Sequence, residues 1–204
     1  NTLLTYGRML FNLVVSLFTS RVIRQVLGVE DFGTYQVVGG IVSIFTFIGG
    51  SMAGATSRFL AYEIPLGNIE RLKKTFSASL SVNLIAAALL ILVGETIGAW
   101  LVLNVLSIPS GREGAAMVVY QFSLFSTVLT FIQTPYNASI IAHEKISIFA
   151  YIGILDTLLK LLICYLVLVL PMDKLMAYAI LIALTGATIQ FIYWLYCKRH
   201  FQEC

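Results

Sequence analysis

The sequence predicts an all-α, polytopic membrane helix bundle. Two observations carry that prediction. Of 204 residues, 59% are hydrophobic and 11% charged, whereas soluble domains average about 45–50% apolar and about 25% charged. The apolar residues also gather in runs long enough to cross about 30 Å of hydrocarbon at about 1.5 Å per residue. A soluble globular enzyme, a disordered chain and a nucleic-acid binder are all poor fits. The net charge is only +3 and the basic residues are dispersed.

Six spans are expected, separated by polar breaks. The first covers about residues 3–27 and ends at GVEDFG (Gly28–Gly33). The second covers about 34–62, before the loop EIPLGNIERLKK. The third covers about 75–103, before NVLSIPSGRE. The fourth covers about 114–142, the fifth about 148–170 and the sixth about 175–197, with HEKIS and PMDK between them. The runs are too long and too uniformly apolar for barrel strands, which alternate every second residue.

Loop charges set an expected orientation. Arg71, Lys73, Lys74, Lys145, Lys198 and Arg199 lie on one face, and Arg112 and Lys174 on the other, with Arg21 and Arg24 near that second side. The positive-inside rule makes the first face cytoplasmic, with both ends of the segment inside. Trp100 near one face, and Tyr193, Trp194 and Tyr196 near the other, suit interfacial aromatic belts. No signal-peptide pattern appears. The chain begins at Asn1 without Met, and a longer parent protein is expected.

Three spans carry polar stripes. Thr5, Arg8, Asn12, Ser16, Thr19 and Ser20 fall within roughly 120° of helical arc. Gln36, Gly39, Gly40, Ser43, Gly50, Gly54, Ser57 and Arg58 fall within roughly 100°, as do Ser123, Ser126, Thr127, Thr130, Thr134 and Asn137. Small and hydroxyl residues let membrane helices approach closely, so Gly50-x-x-x-Gly54 and Gly94-x-x-x-Gly98 read as packing seams. The fourth-span stripe is longer than a contact seam needs and reads equally as the wall of a water-filled cavity. Pro135 is expected to kink that span, with Thr134 and Asn137 serving the carbonyl it frees.

A charge at mid-bilayer costs about 2.5–3.5 kcal/mol on insertion scales. Intramembrane ionisable residues are therefore candidates for function. Asp156 and Lys160 stand four apart on one helix and can neutralise each other. They read as a self-paired charge lining the bundle or as a proton or substrate relay. Glu95 reads as an interfacial carboxylate or as a coupling group. Arg8, Arg21, Arg24 and Arg58 retain their charge and can grip phosphate with a bidentate fork, or simply reach lipid phosphates. No hydrolase, P-loop or metalloprotease motif appears. Cys164, Cys197 and Cys204 show no disulfide framework, and Cys197, His200 and Cys204 fall short of a closed zinc site.

LGVEDFGTYQVVGGIVSIFTFI, GATSRFLAYE, TPYNASIIAHEKISIFAY and IYWLYCKRHF, in this order and spacing, resemble the bacterial oligosaccharide flippases of capsule, O-antigen and exopolysaccharide pathways. That group lies within the multidrug/oligosaccharidyl-lipid/polysaccharide exporter superfamily. The resemblance implies one six-helix lobe of a two-lobe transporter, residues 1–204 forming the first lobe. It implies movement of a polyprenyl-pyrophosphate-linked oligosaccharide from the cytoplasmic to the outer leaflet of the bacterial inner membrane, by alternating access. Arg21, Arg24 and Arg58 would meet the pyrophosphate, with Arg8 added from its stripe. Asn12, Gln36, Thr130 and Asn137 are the polar stripe residues set beside them as substrate contacts. Glu95, Asp156 and Lys160 are the coupling candidates, and no cofactor is expected beyond a coupling ion, H+ or Na+. The expected partners are the lipid-linked oligosaccharide, membrane lipids, the second lobe of the same chain and the polysaccharide polymerisation machinery, with no nucleic acid. Two alternatives stand beside this: a cation-coupled multidrug and toxin extrusion antiporter, and a non-transporting membrane scaffold. The antiporters commonly carry an acidic residue in the first helix, where this chain has none between Leu3 and Leu27.

Overall fold

A computed structural model describes residues 2–106, 108 and 111–204, and side chains for all of these except 2–5, 8, 47 and 48. Helix dominates, and there is no strand among the described residues. The helices are α1 (Thr2–Glu63), α2 (Ile69–Val93), α3 (Ala99–Asn104), α4 (Glu113–Ala142), α5 (Ile146–Val169) and α6 (Lys174–His200). A 3-10 turn at Ile64–Leu66 leads into α2, and a π-turn at Gly94–Gly98 joins α2 to α3.

Among the described residues five continuous helical segments are long and apolar enough to cross a membrane, against the six spans expected. The difference lies in α1. A straight helix of its 62 residues would measure about 93 Å, three times the hydrocarbon thickness. Gly28 interrupts it at φ 83 and ψ 171, a backbone setting that only glycine adopts cheaply. Thr19 and Gln36, on opposite sides of the bend, line one hollow. Ile23 and Leu27 share a buried cluster with Val38 and Val42. The arms 2–27 and 29–63 therefore lie side by side, and the six expected spans survive as two arms plus four further segments. The expected loop Gly28–Gly33 shrinks to one residue. Glu30 and Asp31 form the first turn of the second arm, where carboxylates complement the helix dipole.

The α2–α3 span is continuous because the π-turn is shaped by a neighbour. The Tyr120 hydroxyl on α4 donates to the Gly94 carbonyl at 2.7 Å. A Cβ at Gly98 would collide with the Tyr120 hydroxyl oxygen, and one at Gly94 would stand 2.7 Å from a Leu124 methyl. This seam is a packing seam, as its spacing predicts. Gly98→Ala should destabilise the folded protein by about 1–3 kcal/mol, the usual cost of overpacking, read as a lower thermal midpoint in detergent. Gly50 and Gly54 behave differently. Among the described residues no atom lies within 4 Å of a Cβ built at either, so the described residues form no packing seam there. Gly49, one position away, is the residue that meets Phe131.

α4 runs unbroken through the buried Pro135. Thr134 donates to Thr130 O at 3.0 Å, one residue short of the carbonyl that proline frees. No hydrogen bond from the Asn137 amide nitrogen reaches that carbonyl among the described residues, and Asn137 Oδ1 is itself buried without a partner there, so neither residue serves the freed carbonyl as expected.

The bundle is fastened at both ends. At the Gly28 end, Arg112 pairs with Asp173 and, at 2.7 Å, with Asp31. One guanidinium thus joins the α1 bend, the start of α4 and the start of α6. At the end bearing the more basic turns, Glu203 is buried with its carboxylate 2.7 Å from both the Ser139 hydroxyl and His143 Nε2. The His143 ring stacks on Phe201 at 4.2 Å. Clusters of buried apolar residues fill the space behind each fastening.

Candidate functional site

Between the ends, the polar stripes meet. Three hollows adjoin along the inner faces of α1, α4, α5 and α6. The first, about 320 Å³, is lined by Asn12, Ser16, Tyr35, Gln36, Asp156 and Lys160, among others. The second, about 290 Å³, is lined by Ser126, Thr130, Gln133, Asp156, Lys160 and Tyr193, among others. The third, about 190 Å³, is lined in part by Tyr35, Ser123, Ser126 and Thr127. Tyr35 belongs to the first and third, Ser126 to the second and third, and the Asp156–Lys160 pair to the first and second.

That pair is the charged centre. Lys160 Nζ lies 2.7 Å from Asp156 Oδ2, with side-chain exposures of 46% and 30%. Asp156 stands about 15 Å along α5 from its first residue, and the whole helix is about 36 Å long at 1.5 Å per residue, so the pair sits near mid-membrane. The 3.6-residue repeat explains the pairing: residues four apart stack on one helix face. Beside it, Thr157 donates to Asn12 Oδ1 at 2.8 Å and also lies 2.9 Å from Gly153 O. This ties the first arm of α1 to α5 at the level of the ion pair.

The α4 wall has a defined hydrogen-bond polarity. Ser126, Thr127 and Thr130 each donate to a carbonyl one turn earlier, at 2.8, 3.0 and 3.0 Å. Their protons are committed to the helix, so toward the hollows these oxygens act as acceptors. Donors come from Lys160, from the Asn12 amide nitrogen and from the amides of Gln36 and Gln133.

The structure therefore gathers Asn12, Gln36, Thr130, Asp156 and Lys160 around one polar interior. It leaves the guanidinium groups elsewhere. Arg21, Arg24 and Arg58 are exposed, line none of these hollows, and have no ion-pair partner among the described residues. The Arg8 side chain lies outside the described residues. Glu95 is exposed on the π-turn, where Gln121 donates to it at 3.1 Å, and Asn137 lines none of the three hollows. Gln133, Thr157, Tyr35 and Tyr178 belong to the site and escaped the stripe reading. Gln133 sits about 20° beyond the edge of the α4 stripe at 100° per residue. The Tyr35 and Tyr178 rings meet edge-on at 4.9 Å, and tyrosine in an apolar run gives no polar signal.

Among the described residues no group of three His, Cys, Asp or Glu side chains gathers as metal ligands. The MatE family model matches residues 6–166. No curated protein and no solved structure matches the chain.

Proposed function

The chain belongs to the MatE family of membrane transporters, and from that premise we propose that it moves a polyprenyl-pyrophosphate-linked oligosaccharide by alternating access. The observation that carries the proposal is the Asp156–Lys160 pair standing in the shared wall of two polar hollows near mid-bilayer. Helices that met only lipid or one another would have no use for such a wall, and charges at that depth are expensive. The absence of any acid between Leu3 and Leu27, with Arg21 and Arg24 exposed on that arm, supports an anionic headgroup over a cationic drug. In this reading the present residues form the first lobe, and the second lobe of the same chain completes the cavity. The basic end faces the bacterial cytoplasm and the oligosaccharide passes on to the polymerisation machinery. H+ or Na+ drives the cycle through Asp156 or Glu95.

One observation favours a second reading. Asp156 and the Asn12 carbonyl oxygen share the first hollow, and oxygen ligands there suit a cation-coupled multidrug antiporter. The test is oligosaccharide export and dye efflux measured side by side in cells carrying the full-length protein. Arg24 and Arg58 stand outside the hollows; if they meet the phosphate on its way in, Arg24→Ala and Arg58→Ala should each lower export about tenfold or more with expression intact, because a hydrogen bond to a charged group is worth about 1.5–3 kcal/mol. Dye efflux sensitive to Asp156→Asn, with no oligosaccharide export, selects the antiporter instead.

A further inference from the structure

We propose that the crevice between the second arm of α1 and α2 seats the isoprenoid chain of the lipid-linked substrate, with the pyrophosphate held at the basic mouth of that crevice. The inference rests on the transport reading above and adds a site for the part of the substrate that stays in the membrane.

Two apolar hollows open along this seam, apart from the polar interior. One, about 340 Å³, is lined by residues between 52 and 59 of α1 and between 75 and 83 of α2. The other, about 220 Å³, is lined by Phe45 of α1, by residues between 86 and 93 of α2 and by Phe131 of α4. Phe59 shares its hollow with Thr75, Met52 with Val82, and Phe45 with Leu89. Each step along one helix is matched by an equal step back along the other, as antiparallel helices require, so the two hollows are collinear. Met52, an unbranched and adaptable side chain, stands at their junction in one cluster with Phe45 and Phe131.

The lining offers hydrocarbon. The Thr56 and Ser79 hydroxyls bond each other at 2.7 Å, and the Asn83 amide nitrogen donates to Ser79 O at 2.9 Å. Asn83 Oδ1 has no partner among the described residues and is covered by surrounding atoms. Phe59, Val82 and Leu89 are exposed at the edges, so the crevice opens sideways to lipid.

Lipid tails are as apolar as the crevice, so escape from water supplies no drive there. Length and charge select the occupant. From Thr75 to Val93 the crevice runs about 27 Å at 1.5 Å per residue, close to the full hydrocarbon thickness of about 30 Å. A phospholipid acyl chain serves one leaflet and would fill about half of it. A polyprenyl chain outreaches a leaflet and can fill the whole. At the mouth, residues 58–74 carry Arg58, Arg71, Lys73 and Lys74 against Glu63 and Glu70, and Lys74 is paired with Glu70 at 2.8 Å. Arg71 lies one turn before Thr75, about 40° from it in helical arc. It is exposed and has no ion-pair partner among the described residues. A surplus of cations beside the membrane surface attracts an anionic headgroup, so the chain and the pyrophosphate of one molecule meet matching ends of one seam.

The experiment uses the full-length protein in phosphatidylcholine nanodiscs. The probe is undecaprenyl phosphate carrying a diazirine midway along its chain, compared with a phosphatidylglycerol carrying a diazirine on its acyl tail. After illumination, peptide mass spectrometry should place the undecaprenyl mark on Phe45 or on residues 86–93. Ala78 lines the first hollow and is exposed, so Ala78→Phe fills the crevice without displacing core. It should lower the marking about tenfold, the loss of roughly ten close carbon contacts. Arg71→Gln should lower it about fivefold, the share of one cation near the surface. Ser81 is exposed on α2 and lines neither hollow, so Ser81→Phe adds the same bulk elsewhere and should mark as wild type does. Equal loss in Ser81→Phe and Ala78→Phe overturns the inference. Phosphatidylglycerol marking residues 86–93 as strongly as the undecaprenyl probe also overturns it, as does an unmarked crevice filled by the second lobe or a neighbouring helix. Oligosaccharide export in cells by a protein whose crevice stays unmarked removes the groove and leaves the transport reading standing. The expected marking in a protein that exports no oligosaccharide removes the transport reading and leaves the groove as a polyprenyl-lipid site.

Discussion

Arg112→Ala should unfold this bundle markedly more readily than the wild-type protein. The guanidinium bridges Asp31 and Asp173, whose side chains are 9% and 31% exposed. Removing one partner of a buried ion pair costs about 3–5 kcal/mol, because the remaining carboxylate keeps its desolvation penalty. Arg112 is itself 37% exposed, and water screens part of the interaction, so about 3 kcal/mol is expected. Arg112→Lys should recover little, since an ammonium lacks the planar fork that meets two carboxylates at once. The same clasp sets an acid limit through Asp173 alone, since burial lifts the Asp31 carboxyl above its ordinary value despite Arg112 and so opposes part of it. Burial opposes the Asp173 charge, but the Arg112 contact and the Leu175 and Met176 amides outweigh it and hold this carboxyl below its ordinary value of 3.8. Its contribution is therefore complete above about pH 4 and fades as pH falls below that, through the lowered folded value. Thermal midpoints measured from about pH 3 to about pH 7 should drop on the acid side in wild type. They should drop less steeply in Arg112→Ala, and parallel curves would show that the clasp is not their cause.

Neither carboxylate of that clasp announces itself in the sequence as a partner of Arg112. GVEDFG reads as a loop because glycines flank two acids, and local chemistry cannot show that Arg112 waits beside Asp31 to hold one tight bend. The apolar runs make the helices legible, since burial in lipid requires length and little else. The π-turn is illegible for the opposite reason: it depends on the Tyr120 hydroxyl from another helix. The polar interior is partly legible. Asn12, Gln36, Thr130, Asp156 and Lys160 converge because a 3.6-residue period fixes which side chains share a face. That period cannot say which stripe meets which. Gly50 and Gly54 have the spacing of a seam and face open space. Arg24 lies about 40° off the stripe of the first arm, and the structure leaves it exposed outside the hollows.

Whether the Asp156–Lys160 pair is scaffold or machinery is separable by experiment. Lys160→Ala alone leaves Asp156 near mid-bilayer without its counter-charge. The expected destabilisation is at most about 2.5–3.5 kcal/mol, the insertion-scale cost of a mid-bilayer charge, lowered because Asp156 is 30% exposed to the hollows. Folded yield in detergent should fall accordingly. Adding Asp156→Asn removes the orphan charge and should restore most of that yield, a coupling energy of about 0.5–3 kcal/mol in a double-mutant cycle. A pair that merely lines the bundle would regain transport together with yield. A pair whose ammonium holds the passing phosphate would regain yield alone, because among the described residues no other cation lines either hollow to replace Lys160. Export per folded molecule in the doubly substituted protein is thus the deciding quantity. Its recovery to the wild-type level would return Asp156 and Lys160 to the role of a neutralised strut, and would move the search for the headgroup contact to Arg21, Arg24 and Arg58.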